Sequence, residues 1–239
     1  MKLIAHRNET PGCPENSLAS LVHSARPGIY AVECDVRSTG DGRRVIYHDD
    51  TLLRLAGDGR RVDEMTLSDM RTALARVGRS VMTLDELIDG WTSRTPVLLH
   101  IKERMPSPGL LEPLRAARME FIFGVESPAM LAAVRAFAPD DHILAFMPDM
   151  RMYPEFIAGG AGIIRLWEPW LDSVTPDMVH AAGAGQVWIM CRTPAHGMDG
   201  TPESLDRIEA LRADGALISD VDMGLDWQAR RASAPEARR

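Results

Sequence analysis

Short apolar runs recur along the chain, and several stop abruptly at a polar residue. The runs at 2–6, 30–36, 44–48, 96–102, 120–125, 142–147, 162–167, 186–191 and 215–219 have the length and composition of strands. Stretches with helical spacing separate most of them. The Pro14-Glu15-Asn16 turn leads into a helix entered at Ser17. Thr66 and Thr83 each precede an acid by three residues, the pattern of a helix cap. Pro128, Pro176 and Pro202 each suit the first turn of a helix.

Strands alternating with helices predict a mostly parallel sheet. Five runs place charged or imidazole groups at their ends: Ile4-Ala5-His6-Arg7, Val32-Glu33-Cys34-Asp35-Val36, Val45-Ile46-Tyr47-His48-Asp49, Val97-Leu98-Leu99-His100-Ile101-Lys102 and Leu217-Ile218-Ser219-Asp220. A parallel barrel gathers such groups at one mouth. The expectation is therefore a (β/α)8 TIM barrel over 1–229, with a frayed tail over 230–239. Nine runs compete for eight barrel positions, and 44–48 or 142–147 is the surplus one. The stretch Asp50 to Arg94 is long for one connection. It predicts an elaborated flap after the third strand.

The totals narrow the function. A 239-residue chain suffices for one barrel, and its net charge of −7 argues against general nucleic-acid binding. No apolar run reaches the length of a bilayer span, so no stable membrane insertion is expected. Three widely spaced cysteines, Cys13, Cys34 and Cys191, form no zinc or disulfide pattern and are expected to be reduced. With no apolar leader before His6, the expected location is cytoplasmic. Oligomeric state has no signature in the sequence.

Strand alternation sharpens the chemistry. Glu33 and Asp35 share a face, and Cys34 turns to the other. Two carboxylates about 6–7 Å apart along a strand repel unless a cation lies between them. A divalent metal or a basic side chain both answer that need. His100 and Lys102 share a face in the same way, while Glu103 points elsewhere. Arg7 and Lys102 are the cations available for an anionic substrate. His6 and His48 are candidates for proton transfer near neutral pH. Trp170 and Trp188 have two readings, stacking on a substrate or ordinary packing; Trp188 is carried among the substrate-binding candidates.

In this order, the pieces resemble the glycerophosphodiester phosphodiesterase family. The family's opening His-Arg-Gly and Pro-Glu-Asn-Thr resemble His6-Arg7-Asn8 and Pro14-Glu15-Asn16-Ser17. Its Glu-x-Asp-Val resembles Glu33-Cys34-Asp35-Val36. Its Thr-x-Asp-Gly and His-Asp pieces resemble Thr39-Gly40-Asp41-Gly42 and His48-Asp49, with Leu52 and Arg54 following. Thr83-Leu84-Asp85-Glu86, Val187-Trp188 and Ser219-Asp220 are looser matches. The resemblance implies a barrel that hydrolyses a small glycerophosphodiester to an alcohol and sn-glycerol 3-phosphate. It implies His6 and His48 as the acid–base pair, and Glu33, Asp35 and the His100 position as metal ligands. Arg7 and Lys102 would hold the phosphate, and Glu15 would brace Arg7 or the metal shell.

Three positions depart from the family pattern. Its Glu-x-Lys is His100-Ile101-Lys102 here, its Gly is Asn8, and its Trp-Thr-Val-Asn is Trp188-Ile189-Met190-Cys191. The family metal is Mg²⁺ or Ca²⁺; an imidazole ligand favours Mn²⁺, Co²⁺ or Zn²⁺. Two other readings keep the fold. One is a phospholipase D-like lyase that makes a cyclic phosphate, and the other is a catalytically silent barrel that binds a phosphorylated metabolite.

Overall fold

Eight of the apolar runs pair edge to edge and close on themselves. They are β1 (Lys2–Ala5), β2 (Ile29–Ser38), β3 (Val97–Ile101), β4 (Phe121–Val125), β5 (Ile143–Ala145), β6 (Ile163–Trp167), β7 (Gln186–Met190) and β8 (Gly215–Ile218). Each runs parallel to the next, and β8 pairs with β1 to complete the barrel. The computed structural model describes residues 1–7, 13–107, 109–191 and 200–233.

The surplus run is 44–48, and 142–147 supplies β5. Arg44–Ile46 folds back antiparallel along the end of β2, with Val36 opposite Ile46 and Ser38 opposite Arg44. The reason is the short turn between them. Gly42 takes a left-handed φ of 75°, and Thr39 and Arg43 close the turn with a backbone hydrogen bond. So few residues can make a hairpin but not a parallel crossover. Met82–Thr83 adds to the other edge of this hairpin.

The long connection between β2 and β3 has its own apolar centre. Val45, Tyr47, Leu52, Val62, Met65, Met70 and Leu74 are buried together there. Two of its helices, Leu67–Ala75 and Leu84–Gly90, start at capping boxes made by Thr66 with Asp69 and Thr83 with Glu86. Helices Pro128–Arg135, Pro176–Ala181 and Pro202–Ala210 begin with proline in the first turn.

Alternation divides the barrel core in two. Inward residues, among them Ile4, Ala31, Leu98, Ile122, Leu144 and Ile163, fill the axis. Outward ones, including Val32, Cys34, Leu99 and Phe123, pack in a separate cluster. Cys34 is buried, and its thiol is pushed well up by burial and by Glu33 and Asp35. The last helix, Val221–Ser233, carries 230–233, which the sequence assigned to a frayed tail. Trp227 is buried and donates to Asp206 at 2.9 Å. Among the described residues, no helix is long and apolar enough to cross a membrane.

Candidate active site

Ala31 lies in the axial core, so Glu33 and Asp35, two and four residues on, point along the same axis nearer the mouth. Leu98 places His100 and Lys102 likewise. Register sets Asp35 directly beside His100. His100 Nδ1 lies 3.2 Å from Asp35 Oδ1 and 3.7 Å from Glu33 Oε1. Lys102 Nζ is 3.7 Å from Asp35 Oδ1. Both carboxylates are wholly buried, and His100 is 7% exposed. One ligand atom from each of Glu33, Asp35 and His100 falls within 4.8 Å of the other two. Two oxygens and one imidazole nitrogen at this spacing, shielded from water, form a donor set that fits a divalent cation.

Charges within this group reshape one another. Burial alone would raise the Asp35 carboxyl. His100 beside it, with His48 and Lys102 nearby, instead holds it well below the usual carboxylate range. Burial and the Lys102 charge would lower the His100 imidazole, but Asp35, Glu126 and Glu33 together raise it to about 9.

The second cluster comes from the end of β1 and from His48. Arg7 takes a left-handed φ of 56°, and its backbone N–H donates to Glu33 Oε2 at 3.1 Å. His6 follows the same carboxylate, with Nε2 3.9 Å from Oε2. Arg7 Nη2 lies 2.7 Å from His48 Nε2. A guanidinium can only donate, so Nε2 accepts. That assigns the proton to Nδ1, which sits 2.6 Å from Asp49 Oδ1. Burial would raise Asp49, yet the bonds from His48 and Arg54 bring it to about 2. Arg54 Nε donates to Asp49 Oδ2 at 2.6 Å, and its Nη2 reaches Glu15. His48 is thus held by a chain of alternating charges.

Three further inward residues complete the rim. Glu126, just past β4, lies 3.0 Å from His100 Nε2 and 3.2 Å from Lys102 Nζ. Burial works against its ionisation, but His100 and Lys102 lower the carboxyl to about 2. Phe146 stacks on His100 with centroids 3.8 Å apart. Arg165 on β6 is only 4% exposed, and its guanidinium lies 4.9–5.4 Å from the rings of Phe146, Trp167 and Trp170. Its Nη2 donates to Met147 O at 3.4 Å, while Nε and Nη1 have no hydrogen-bond partner among the described residues. Burial pushes this guanidinium down to about 9, with Glu126 pulling the other way. A groove of about 630 Å³ opens beside Lys102 and Glu126, lined also by Arg37, Arg61 and Arg104.

A family model described as the glycerophosphoryl diester phosphodiesterase family matches residues 6–137, more than half of the chain and most of the residues just described. The chain belongs to that family. A relative from Mycobacterium tuberculosis named "Probable glycerophosphodiester phosphodiesterase 1" is 29% identical over 149 residues, covering 56% of this chain and 54% of the relative. A glycerophosphodiester phosphodiesterase from Caldanaerobacter subterraneus is 30% identical over 94 residues, covering 36% of this chain and 39% of the relative. The chain thus matches about half or less of the length of these relatives. Among solved structures, a glycerophosphodiester phosphodiesterase from Thermotoga maritima superposes with a TM-score of 0.73 at 17% identity, covering 94% of this chain and 96% of that one. A phosphodiesterase from Oleispira antarctica, solved with the product sn-glycerol-3-phosphate, gives 0.70 at 19% identity, covering 95% and 97%. These structural likenesses establish the barrel.

Within this family's barrel, His6, Arg7, Glu33, Asp35, His100 and Lys102 converge as their strand positions predict, and His48 joins them from the antiparallel hairpin. Two expectations need correction. Glu15 braces Arg54 rather than Arg7 or the metal shell, because the Pro14-Glu15-Asn16 turn presents it to the His48–Asp49 side. Trp188 does not reach the mouth. It is fully buried near the strand starts, with Nε1 donating to Gln186 at 3.0 Å and Tyr30 packed edge-on. Asn8 lies outside the described residues.

The sequence reading missed Asn16, Glu126 and Arg165. Asn16 accepts from the Asp35 backbone at 3.2 Å and donates to Asp35 Oδ2 at 3.3 Å, clamping that carboxylate from the β1–helix loop. Strand alternation from Ile122 and Ile163 carries the signal for the other two.

Proposed function

We infer that this barrel hydrolyses a small glycerophosphodiester to an alcohol and sn-glycerol 3-phosphate, with a divalent cation held by Glu33, Asp35 and His100. The observation that carries the reading is the buried Glu33–Asp35–His100 donor set flanked by Lys102 and by the Arg7–His48 pair. Glu33, Asp35 and His100 would hold a cation that would supply positive charge to the phosphoryl oxygens. Arg7 and Lys102 supply further charge and fix the phosphate between the two histidines.

The tautomer of His48 sets the roles. Its Nε2 carries a lone pair toward the mouth, so His48 is the base. It takes a proton from the attacking oxygen as that oxygen bonds to phosphorus. Asp49 holds the Nδ1 proton and favours the imidazolium that forms. Arg7 leaves Nε2 for the phosphate as the substrate enters. His6 is the acid, giving its proton to the leaving oxygen as the other P–O bond breaks. Water as nucleophile gives hydrolysis directly. A neighbouring substrate hydroxyl gives a cyclic phosphate first, the course of a phospholipase D-like lyase. The Oleispira antarctica protein, solved with sn-glycerol-3-phosphate, supports this product class. A small polar substrate and reduced thiols suit a cytoplasmic enzyme.

The test is turnover of glycerophosphocholine and bis(p-nitrophenyl) phosphate with Mg²⁺, Ca²⁺, Mn²⁺, Co²⁺ and Zn²⁺ in turn. Release of glycerol 3-phosphate with at least one metal is expected. Folded protein inert with all five would instead support a silent binding barrel. Phosphorus NMR of the product separates the two courses, since a persistent cyclic phosphate excludes simple hydrolysis.

A further inference from the structure

The His100 position creates a charge deficit. The family pattern Glu-x-Lys would set three carboxylates around the ion, whereas Glu33, Asp35 and neutral His100 supply only two. The neighbouring strand brings the missing charge back. Ile122, Gly124 and Glu126 share the inward face of β4, and Glu126 extends past the strand end to His100. Carboxylate oxygens lie beside both imidazole nitrogens, although Nε2 makes no aligned hydrogen bond among the described residues. Nδ1 faces Asp35 at 3.2 Å and Glu33 at 3.7 Å, and Nε2 faces Glu126 at 3.0 Å. Phe146 covers one ring face at 3.8 Å, and Gly124 makes room for it.

We propose that Glu126 is a positioning residue for the metal site: with an ion bound it accepts the Nε2 proton of His100, leaves the Nδ1 lone pair for the ion shared with Glu33 and Asp35, and restores the charge lost with the third carboxylate. A carboxylate behind a ligating imidazole fixes the tautomer and makes the nitrogen a better donor. Glu126 is not one of the three residues that supply the close ligand set. It stands one layer out, where it also meets Lys102 at 3.2 Å. The carboxylate has in effect moved from one strand to its neighbour and from contact with the ion to contact with a ligand.

The inference rests on the metal-dependent reading above but is tested by binding, not turnover. Mn²⁺ and Zn²⁺ are titrated calorimetrically into the metal-free full chain. Wild type, Glu126→Ala, Glu126→Gln, His100→Glu and the double variants His100→Glu/Glu126→Ala and His100→Glu/Glu126→Gln are compared. Thermal melts confirm that each is folded. Glu126→Ala should weaken binding by about 10–100-fold, and Glu126→Gln, which keeps an acceptor, by less. In the His100→Glu background, removal of Glu126 should change affinity by no more than about threefold, because no imidazole remains to be oriented. Binding by Glu126→Ala within about threefold of wild type overturns the proposal. So does an equal loss in both backgrounds, which would make Glu126 a direct ligand or a general charge. Wild type that binds neither metal overturns it as well. Wild type that binds but turns over no diester removes the functional reading alone.

Discussion

Phe146 lies nearly flat against His100, with centroids 3.8 Å apart and planes 14° from parallel. The contact depends on a third residue. A Cβ at Gly124 would meet Phe146 Cε2 at 2.5 Å and the His100 Cα at 3.2 Å. Gly124→Ala should therefore push the phenyl ring off the imidazole. Overpacking of this kind costs about 1–3 kcal/mol. Urea melts should show that loss, and metal affinity should fall with it. An unchanged melt and unchanged affinity would mean that Phe146 has slack the geometry does not show.

His48→Ala and His6→Ala should abolish turnover while leaving the melting temperature within a few degrees of wild type, since both side chains sit at the mouth. Asp49→Asn should act through His48 and lower kcat with little change in KM. Full activity in Asp49→Asn would separate the tautomer from the chemistry.

The metal-free protein should lose stability as the solution becomes alkaline. His100 is raised to about 9 in the folded state, above its ordinary value of 6.5. Its contribution is complete below about 6.5 and disappears as pH rises through about 9. Glu126 has the opposite sign: lowered to about 2, it contributes above about 4.5 and loses that contribution as pH falls through 2. Urea melts with chelator across pH 5–10 should show an alkaline decline that His100→Gln flattens. The same slope in wild type and variant would refute the assignment.

Arg165 should be a liability to the fold and an asset to binding. It is buried, and its Nε and Nη1 have no hydrogen-bond partner among the described residues. Arg165→Met replaces that charge with an apolar chain of similar length. Stability should rise by about 1–3 kcal/mol. Affinity for substrate or inorganic phosphate should fall if the guanidinium serves the anion. A destabilised variant with wild-type affinity would make it purely structural.

Much of this site was readable before any coordinates, because period-two alternation dictates which side chains face inward. It paired Glu33 with Asp35 and His100 with Lys102, and it turned Cys34 outward. Alternation does not say how far along the axis a side chain ends, which is why Trp188 was misplaced. Nor does an apolar run reveal its direction, so alternation alone leaves 44–48 and 142–147 as rivals for the surplus position, and the short turn at Gly42 decides between them. Glu126 was hidden for another reason. Its meaning lies in its neighbour His100, one strand away and 26 residues earlier in the chain.

Trp188, edge-on to Tyr30 and beneath the Lys2 ammonium, plugs the far end of the barrel. Traffic through a vessel sealed at one end must use a single doorway. Under the proposed function, whatever leaves has to back out past Arg7 and Lys102, the cations proposed to hold the phosphate. Glycerol 3-phosphate, which keeps a dianionic phosphate after the alcohol has gone, should therefore linger and compete with incoming diester. Escape rather than bond breaking then sets the pace when product accumulates, and progress curves should bend early and straighten when an enzyme that consumes the product is added.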